Sequence, residues 1–160
     1  MILVVLGTQN NNFIRLLDKI EECIENEIIN EDVIVQAGHT VYSSNKMKIL
    51  DFISPSELDS LLSKASFIIT HGGVGSIINS IKKGKKIIAV PRLSKYNEHV
   101  NDHQIQIVEN FNANGYIIGI TDVSDLPIAI KKINTFLPKK YIGNANNKII
   151  NIISNYIDNN

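Results

Sequence analysis

The chain has 160 residues, 44% of them apolar, enough for one domain (residues 1–160) with a sizeable core. Sixteen basic and sixteen acidic residues cancel, and no block of like charge occurs, so a nucleic-acid partner held by phosphate neutralisation is excluded. The apolar runs are strand-sized, which predicts neither a membrane span nor a secretory leader; the lone Cys23 rules out an internal disulfide and a cysteine-built zinc site, and the cytosol is the expected setting.

Ile2 to Leu6 is a continuous apolar run, the pattern of a buried parallel strand. It ends in Gly7-Thr8-Gln9-Asn10-Asn11-Asn12, which suits a phosphate-receiving turn or an ordinary polar loop equally well. The helix that follows carries Phe13, Leu16, Leu17, Ile20, Cys23 and Ile24 on one face, where Cys23 reads as a core thiol rather than a nucleophile. Strands are predicted over Asp32 to Ala37, ending at Gly38-His39, and over Lys46 to Phe52. Phe52-Ile53 stands at that strand end, either facing a base or completing the core. Ser54-Pro55-Ser56-Glu57 has the cap, first-turn proline and third-position Glu of a helix start, with Leu58, Leu61 and Leu62 inward.

The stretch from Phe67 to Gln104 organises the rest. It reads as a strand (Phe67 to Thr70), a turn His71-Gly72-Gly73-Val74-Gly75-Ser76, a helix to Lys83 stopped by Gly84, and a second strand (Lys86 to Val90). A glycine turn between a strand's carboxyl end and a helix's amino end brings free N–H groups and the helix dipole to an anion. Asn79 lies one turn into that helix, on a side that reaches back to a ligand or out to solvent. After the second strand come Pro91-Arg92, then Glu98-His99 and Asp102-His103-Gln104, opening a further helix from about Asn101 to Asn112 with Ile105, Val108 and Phe111 inward and Gly115 closing it. Tyr116 to Ile120 is a last strand; Asp125 to Phe136 and Asn146 to Ile157 are terminal helices.

The order β-α-β-β-α-β-α-β-α-β-α-α predicts a doubly wound α/β sheet. In such a sheet the loops at the carboxyl ends of neighbouring strands converge on one crevice.

For chemistry, His99 and His103 are spaced as one face of a helix and His71 is a conceivable third zinc ligand, but the intervening Glu of a metalloprotease helix is absent. There is no D-x-D, so a diphosphate is expected to be met by helix N-termini, Arg92 and imidazoles without a metal. No G-x-S-x-G nucleophile elbow occurs, and a dinucleotide reading lacks an acid after Gly38-His39 for the ribose. A nucleotide-sugar site remains, with phosphates on the turns and the Glu98 to Gln104 cluster on a sugar.

The set Thr70 to Ser76, Gly84, Val90-Pro91-Arg92 and Glu98 to Gln104, with Val5-Leu6-Gly7-Thr8 at the start, resembles the C-terminal domain of family 28 glycosyltransferases. Within that family it is similar to short polysaccharide-biosynthesis proteins of the PssE/CpsG type and to the catalytic subunit of the two-part dolichol-pathway N-acetylglucosaminyltransferase. The resemblance spans Ile2 to about Lys132 and implies a Rossmann-like sheet, the C-terminal, donor-binding half of a GT-B fold, that holds a UDP-sugar and inverts at the anomeric carbon without a required metal or cofactor. It implies that Gly7 and Thr8 border the diphosphate, Phe52 and Ile53 face uracil, His71, Gly72, Gly73, Gly75 and Ser76 form the phosphate turn, and His103 and Gln104 grip the donor sugar. Arg92, Glu98, His99 and Asp102 complete the expected substrate-binding set. Asn79 replaces the family's ribose-binding Glu, which loses a charged acceptor.

A GT-B enzyme has two such halves, so the resemblance further implies a membrane-anchored, acceptor-binding partner subunit and a lipid-linked sugar acceptor. His71 and His99 are the candidate bases if the base is not the partner's. Gln104→Ala is expected to suppress transfer and leave folding intact. The alternatives are a non-catalytic nucleotide-sugar binding or regulatory module and an NAD-dependent enzyme.

Overall fold

The structure, a computed structural model, describes residues 1–140. Six parallel strands form one sheet: β1 (Ile2–Val5), β2 (Val33–Gln36), β3 (Lys48–Leu50), β4 (Ile68–His71), β5 (Ile87–Val90) and β6 (Ile118–Gly119), in the spatial order β3-β2-β1-β4-β5-β6. The chain order reverses between β1 and β4, so the loops after these two strands leave in opposite directions and open a crevice between them. The helices are α1 (Ile14–Glu25), α2 (Pro55–Lys64), α3 (Val74–Lys82), α4 (His103–Ala113) and α5 (Leu126–Ile133).

Strand parity divides the core. Ile2, Val4, Leu6, Val33 and Val35 face α1 and α5, where Phe13, Leu16, Leu17, Ile20 and Ile130 pack. The alternate residues Leu3, Val5, Ile68, Ile87 and Ala89 face α2, α3 and α4, through Leu62, Ile77, Ile81, Ile107 and Phe111. Strands β1, β4 and β5 are buried on both faces, which is why β1 and β5 are unbroken apolar runs; β4 ends instead on the buried polar pair Thr70 and His71.

Strands β2 and β3 are parallel with no helix between them, a crossover that ordinarily takes one. Residues 37–47 make it as a loop pinned to α1. Phe13 N donates to Thr40 Oγ1 (3.2 Å), Ser44 Oγ donates to Glu21 Oε1 (2.7 Å), and the Tyr42 hydroxyl lies 2.6 Å from Glu21 Oε2. These side-chain bonds replace the packing a crossover helix would supply.

The predicted alternation is present through α5, with two adjustments. Helix α4 starts at His103, so the buried stripe falls on Gln104, Ile107, Val108 and Phe111, and Ile105 is not in the core. The first turn of the Asp125 helix is a 3₁₀ turn, Val123–Asp125, ahead of α5. The helix expected over Asn146 to Ile157 lies outside the described residues. Among the described residues no helix is long and apolar enough to cross a membrane.

Candidate functional site

The crevice between the β1 and β4 loops holds a cleft of about 550 Å³. The site residues expected from the sequence that line it are Gly7 and Thr8 after β1, Phe52 and Ile53 after β3, His71, Gly72, Gly73, Gly75 and Ser76 at the β4–α3 turn, and His99 and Gln104 beyond β5. Strands far apart in sequence thus bring their carboxyl ends to one hollow.

Helix α3 enters this cleft with its N-terminus open. Its cap is Gly73, no side chain caps it, and its first turn carries no acid. The N–H groups there, with the positive end of the helix dipole, form a seat for an anion. A Cβ at Gly73 would run into the His71 ring, whereas one at Gly75 would meet nothing within 4 Å. Gly73 is therefore required by the protein itself, while Gly75 leaves space on the cleft side. Gly7 has φ +77°, and a Cβ there would lie 2.6 Å from His71 Cε1, so this turn tolerates only glycine for two independent reasons.

His71 is wedged between those glycines, 8% exposed. Burial, opposed by the Val5 carbonyl and reinforced by Arg92, pushes its pKa down to about 4. The ring is neutral near pH 7, with Nδ1 3.3 Å from Val5 O and so carrying the proton. Nε2 keeps its lone pair on the side of Gly7 and Gly73. A ring of such low proton affinity is poorly matched to general-base work at neutral pH, which favours a role as a neutral, uncharged wall of the cleft.

At His99, by contrast, both nitrogens are engaged. Asn101 N donates to Nδ1 (3.2 Å), so the proton sits on Nε2, and the Gln9 amide at 2.8 Å is assigned with its oxygen toward the ring so that it accepts that proton. Gln9 belongs to the β1–α1 turn, and Asn11 Nδ2 of the same turn donates to Asn97 O (2.9 Å). These bonds tie the β1 and β5 loops together along one side of the cleft.

Gln104 is 5% exposed and bridges two loops through one atom. Its Oε1 accepts from Gly72 N (3.1 Å) and Arg92 N (3.0 Å), while Nε2 has no partner among the described residues. The expectation that Gln104→Ala leaves folding intact is corrected by this arrangement. Removing Oε1 strands two buried N–H groups, each at about 1–3 kcal/mol.

Arg92 and Glu98 do not line the cleft, contrary to the expectation that they touch the substrate. Arg92 is fully buried. It donates from Nη2 to Leu6 O (2.8 Å) and from Nη1 to Asn11 O (2.7 Å) and Glu98 O (3.3 Å), with its guanidinium 4.9 Å from the centre of the Phe13 ring. Burial lowers its pKa to about 10, against the pull of Glu98, which leaves it charged. Glu98 takes Arg15 bidentately (2.9 and 2.8 Å) and accepts from Leu93 N. Both side chains are committed to shaping the loops that border the cleft, because a buried charge must find its partners within the protein.

Asn79, Asp102 and His103 also lie off the cleft lining. Asn79 is exposed on α3, and Asp102 accepts from Ser94 N (2.7 Å), a bond that holds its carboxyl below the usual range. His103 opens α4, its N–H donating to Asn101 Oδ1. Among the described residues no three His, Cys, Asp or Glu side chains are gathered as a metal site. Sequence reading missed Gln9, Gln36 and Leu58, which also line the cleft. The signal for Gln36 was present as a polar residue closing an otherwise apolar strand.

Comparison with protein families matches residues 1–156 to the glycosyltransferase family 28 C-terminal domain. The chain belongs to that family. A search of curated proteins found no match. Among solved structures, the glycotransferase of kitacinnamycin aligns with TM-score 0.58 at 13% identity, over 96% of this chain and 38% of that one. MurG of Acinetobacter baumannii aligns with TM-score 0.56 at 16% identity, over 82% of this chain and 40% of that one. The chain therefore spans about two fifths of those proteins. The solution structure of ALG13 matches at TM-score 0.58 and 19% identity, over 88% of this chain and 89% of ALG13. These likenesses establish the Rossmann-like fold of a GT-B C-terminal half, as the resemblance of the family 28 sequence pattern implied.

Proposed function

We propose that this family 28 domain is the donor-binding, catalytic subunit of a two-component inverting glycosyltransferase. It moves a hexose from a UDP-sugar to a lipid-linked sugar acceptor in extracellular or capsular polysaccharide synthesis. The observation that carries this reading is one cleft onto which an uncapped helix N-terminus, a glycine turn allowing close approach, the Phe52-Ile53 loop and the unused amide of Gln104 all open. Phosphates suit the helix end, a base suits Phe52-Ile53, and sugar hydroxyls suit the Gln104 amide.

In the reaction the acceptor hydroxyl oxygen attacks the anomeric carbon, the bond from that carbon to the diphosphate oxygen breaks, and UDP leaves. The negative charge that develops on the diphosphate is met by the α3 N-terminus, without a metal. The hydroxyl proton passes to a base, which this reading assigns to the partner subunit, since the His71 ring has low proton affinity and both ring nitrogens of His99 are engaged. The near end-to-end match with ALG13, against two-fifths coverage of longer glycosyltransferases, supports a separate acceptor-binding partner. That partner is membrane-anchored and brings the chain to the cytoplasmic face.

A thermal-shift screen against UDP, GDP and NAD tests the donor class, with UDP expected to stabilise the protein most. In a mixture with the partner, Gln104→Glu keeps the bridging oxygen and removes the amide donors. It is expected to fold and bind UDP yet lower sugar transfer at least tenfold, an effect the size of a lost hydrogen bond. UDP binding with no transfer under any partner condition points instead to a nucleotide-sugar binding module, and strong transfer by the chain alone contradicts the two-component arrangement.

A further inference from the structure

Gln36 is a polar residue on the sheet face that meets α2, α3 and α4, where the other buried polar strand residue, Thr70, donates its hydroxyl to Val5 O. Leu3, Val5 and Ile68 fill that face, with Ile34 packed at its edge, and Gln36, aligned with Val5 on β1, follows Ile34 at the next position of the same parity. It is 5% exposed and lines the cleft floor.

The orientation of its carboxamide is determined by chemistry. Nε2 donates to Gly7 O and to Asp51 O, each at 3.2 Å, and two carbonyls accept only from the nitrogen end. Oε1 accepts nothing among the described residues and is not a buried orphan. The cleft therefore contains two buried carboxamides of opposite polarity. Gln104 binds the protein through its oxygen and leaves a donor, whereas Gln36 binds the protein through its nitrogen and leaves an acceptor. Its two carbonyl partners set Gln36 between Gly7, beside the phosphate seat, and Asp51, which precedes Phe52, so it stands where the nucleoside meets the phosphates.

We infer that Gln36 is a specificity-determining residue, an acceptor-only carbonyl on the cleft floor that takes one hydrogen from the nucleoside of the donor nucleotide. This rests on the nucleotide-sugar reading. Two hydrogens of that nucleoside have the required chemistry, a ribose hydroxyl and the imide N–H of the base. The acceptor takes over the ribose contact expected of position 79 if the hydroxyl is the source, since Asn79 lies outside the cleft.

The test is calorimetric titration of the full chain with UDP, 2′-deoxy-UDP, 3′-deoxy-UDP and N3-methyl-UDP, repeated on Gln36→Met. In the wild-type protein one analogue is expected to bind about tenfold more weakly than UDP, the scale of one unmatched buried acceptor. In Gln36→Met that analogue and UDP are expected to bind within about twofold of each other, because the acceptor is gone. General loosening of the Gly7 and Asp51 loops weakens all four ligands alike, so only the differential is diagnostic. An equal penalty in both proteins overturns the assignment, and so does a wild-type series in which no analogue is penalised, a result that stands even if the variant does not fold. Failure of UDP itself to bind breaks the donor reading instead, which separates the two failures.

Discussion

Helices α2 and α3 both begin beside the cleft at the carboxyl edge of the sheet, yet their first turns are finished in opposite ways. At α2, Ser54 Oγ accepts from Glu57 N (3.2 Å) and the Glu57 carboxylate accepts from Ser54 N (2.9 Å), a complete capping box that brings its own anion. That bonding keeps the Glu57 carboxyl below its usual pKa. At α3 the corresponding residues are Gly73 and Ser76, no carboxylate is present, and the helix end stays open to the cleft. The contrast teaches that a helix N-terminus becomes a binding site when its own sequence declines to cap it, and that four residues decide which.

The largest expected effect concerns the wall beside the open terminus. A histidine with a folded pKa near 4 and an unfolded value near 6.5 binds fewer protons when folded between those pH values. Its contribution to stability is thus fully present above about pH 6.5 and is lost as pH falls toward 4, by about 3 kcal/mol in total. Urea denaturation from pH 7 to 4.5 is expected to show this slope, and His71→Gln to flatten it. An unchanged slope in the variant removes His71 from the account.

Next in size, Ser76→Glu gives α3 the third-position acid that α2 has. The free protein is expected to gain about 0.5 kcal/mol and UDP affinity to fall more than tenfold, since the carboxylate occupies the anion seat. Unaltered UDP binding by titration would show that the phosphates lie elsewhere. The reciprocal change, Ser54→Ala, is expected to cost about 1 kcal/mol of stability with UDP affinity within about twofold of wild type. Smallest is Gly75→Ala. With open space at that Cβ, the helix is expected to gain under about 1 kcal/mol while nucleotide affinity falls, the signature of a glycine retained for ligand approach. Denaturation and titration on the same variant check both halves.

Much of this was legible in advance because it is local. Ser54-Pro55-Ser56-Glu57 announces a self-capped helix and His71 to Ser76 an open one, from spacing alone. The charged residues after β5 were less legible. Arg92 and Glu98 follow β5, the strand beside the glycine turn's own, which suggested a ligand, but whether a side chain points into a cleft or under its rim is a question of tertiary direction. Arg92 turns beneath the β1 loop to Leu6 O and Asn11 O, and Glu98 meets Arg15 from α1. Gln36 was overlooked for the converse reason, as its one local mark, a polar residue closing an apolar strand, does not say that the side chain meets a cleft.

Periodicity, capping and φ preferences act within a few residues, so the alternation of strands and helices, the glycine turn and the uncapped α3 terminus are written in the chain. Which polar side chains reach the cleft and which serve its frame emerges once the sheet is assembled. That choice depends on loops joined across β2, β1, β4 and β5, where a buried charge or amide takes whichever partners the assembled sheet brings within about 3 Å.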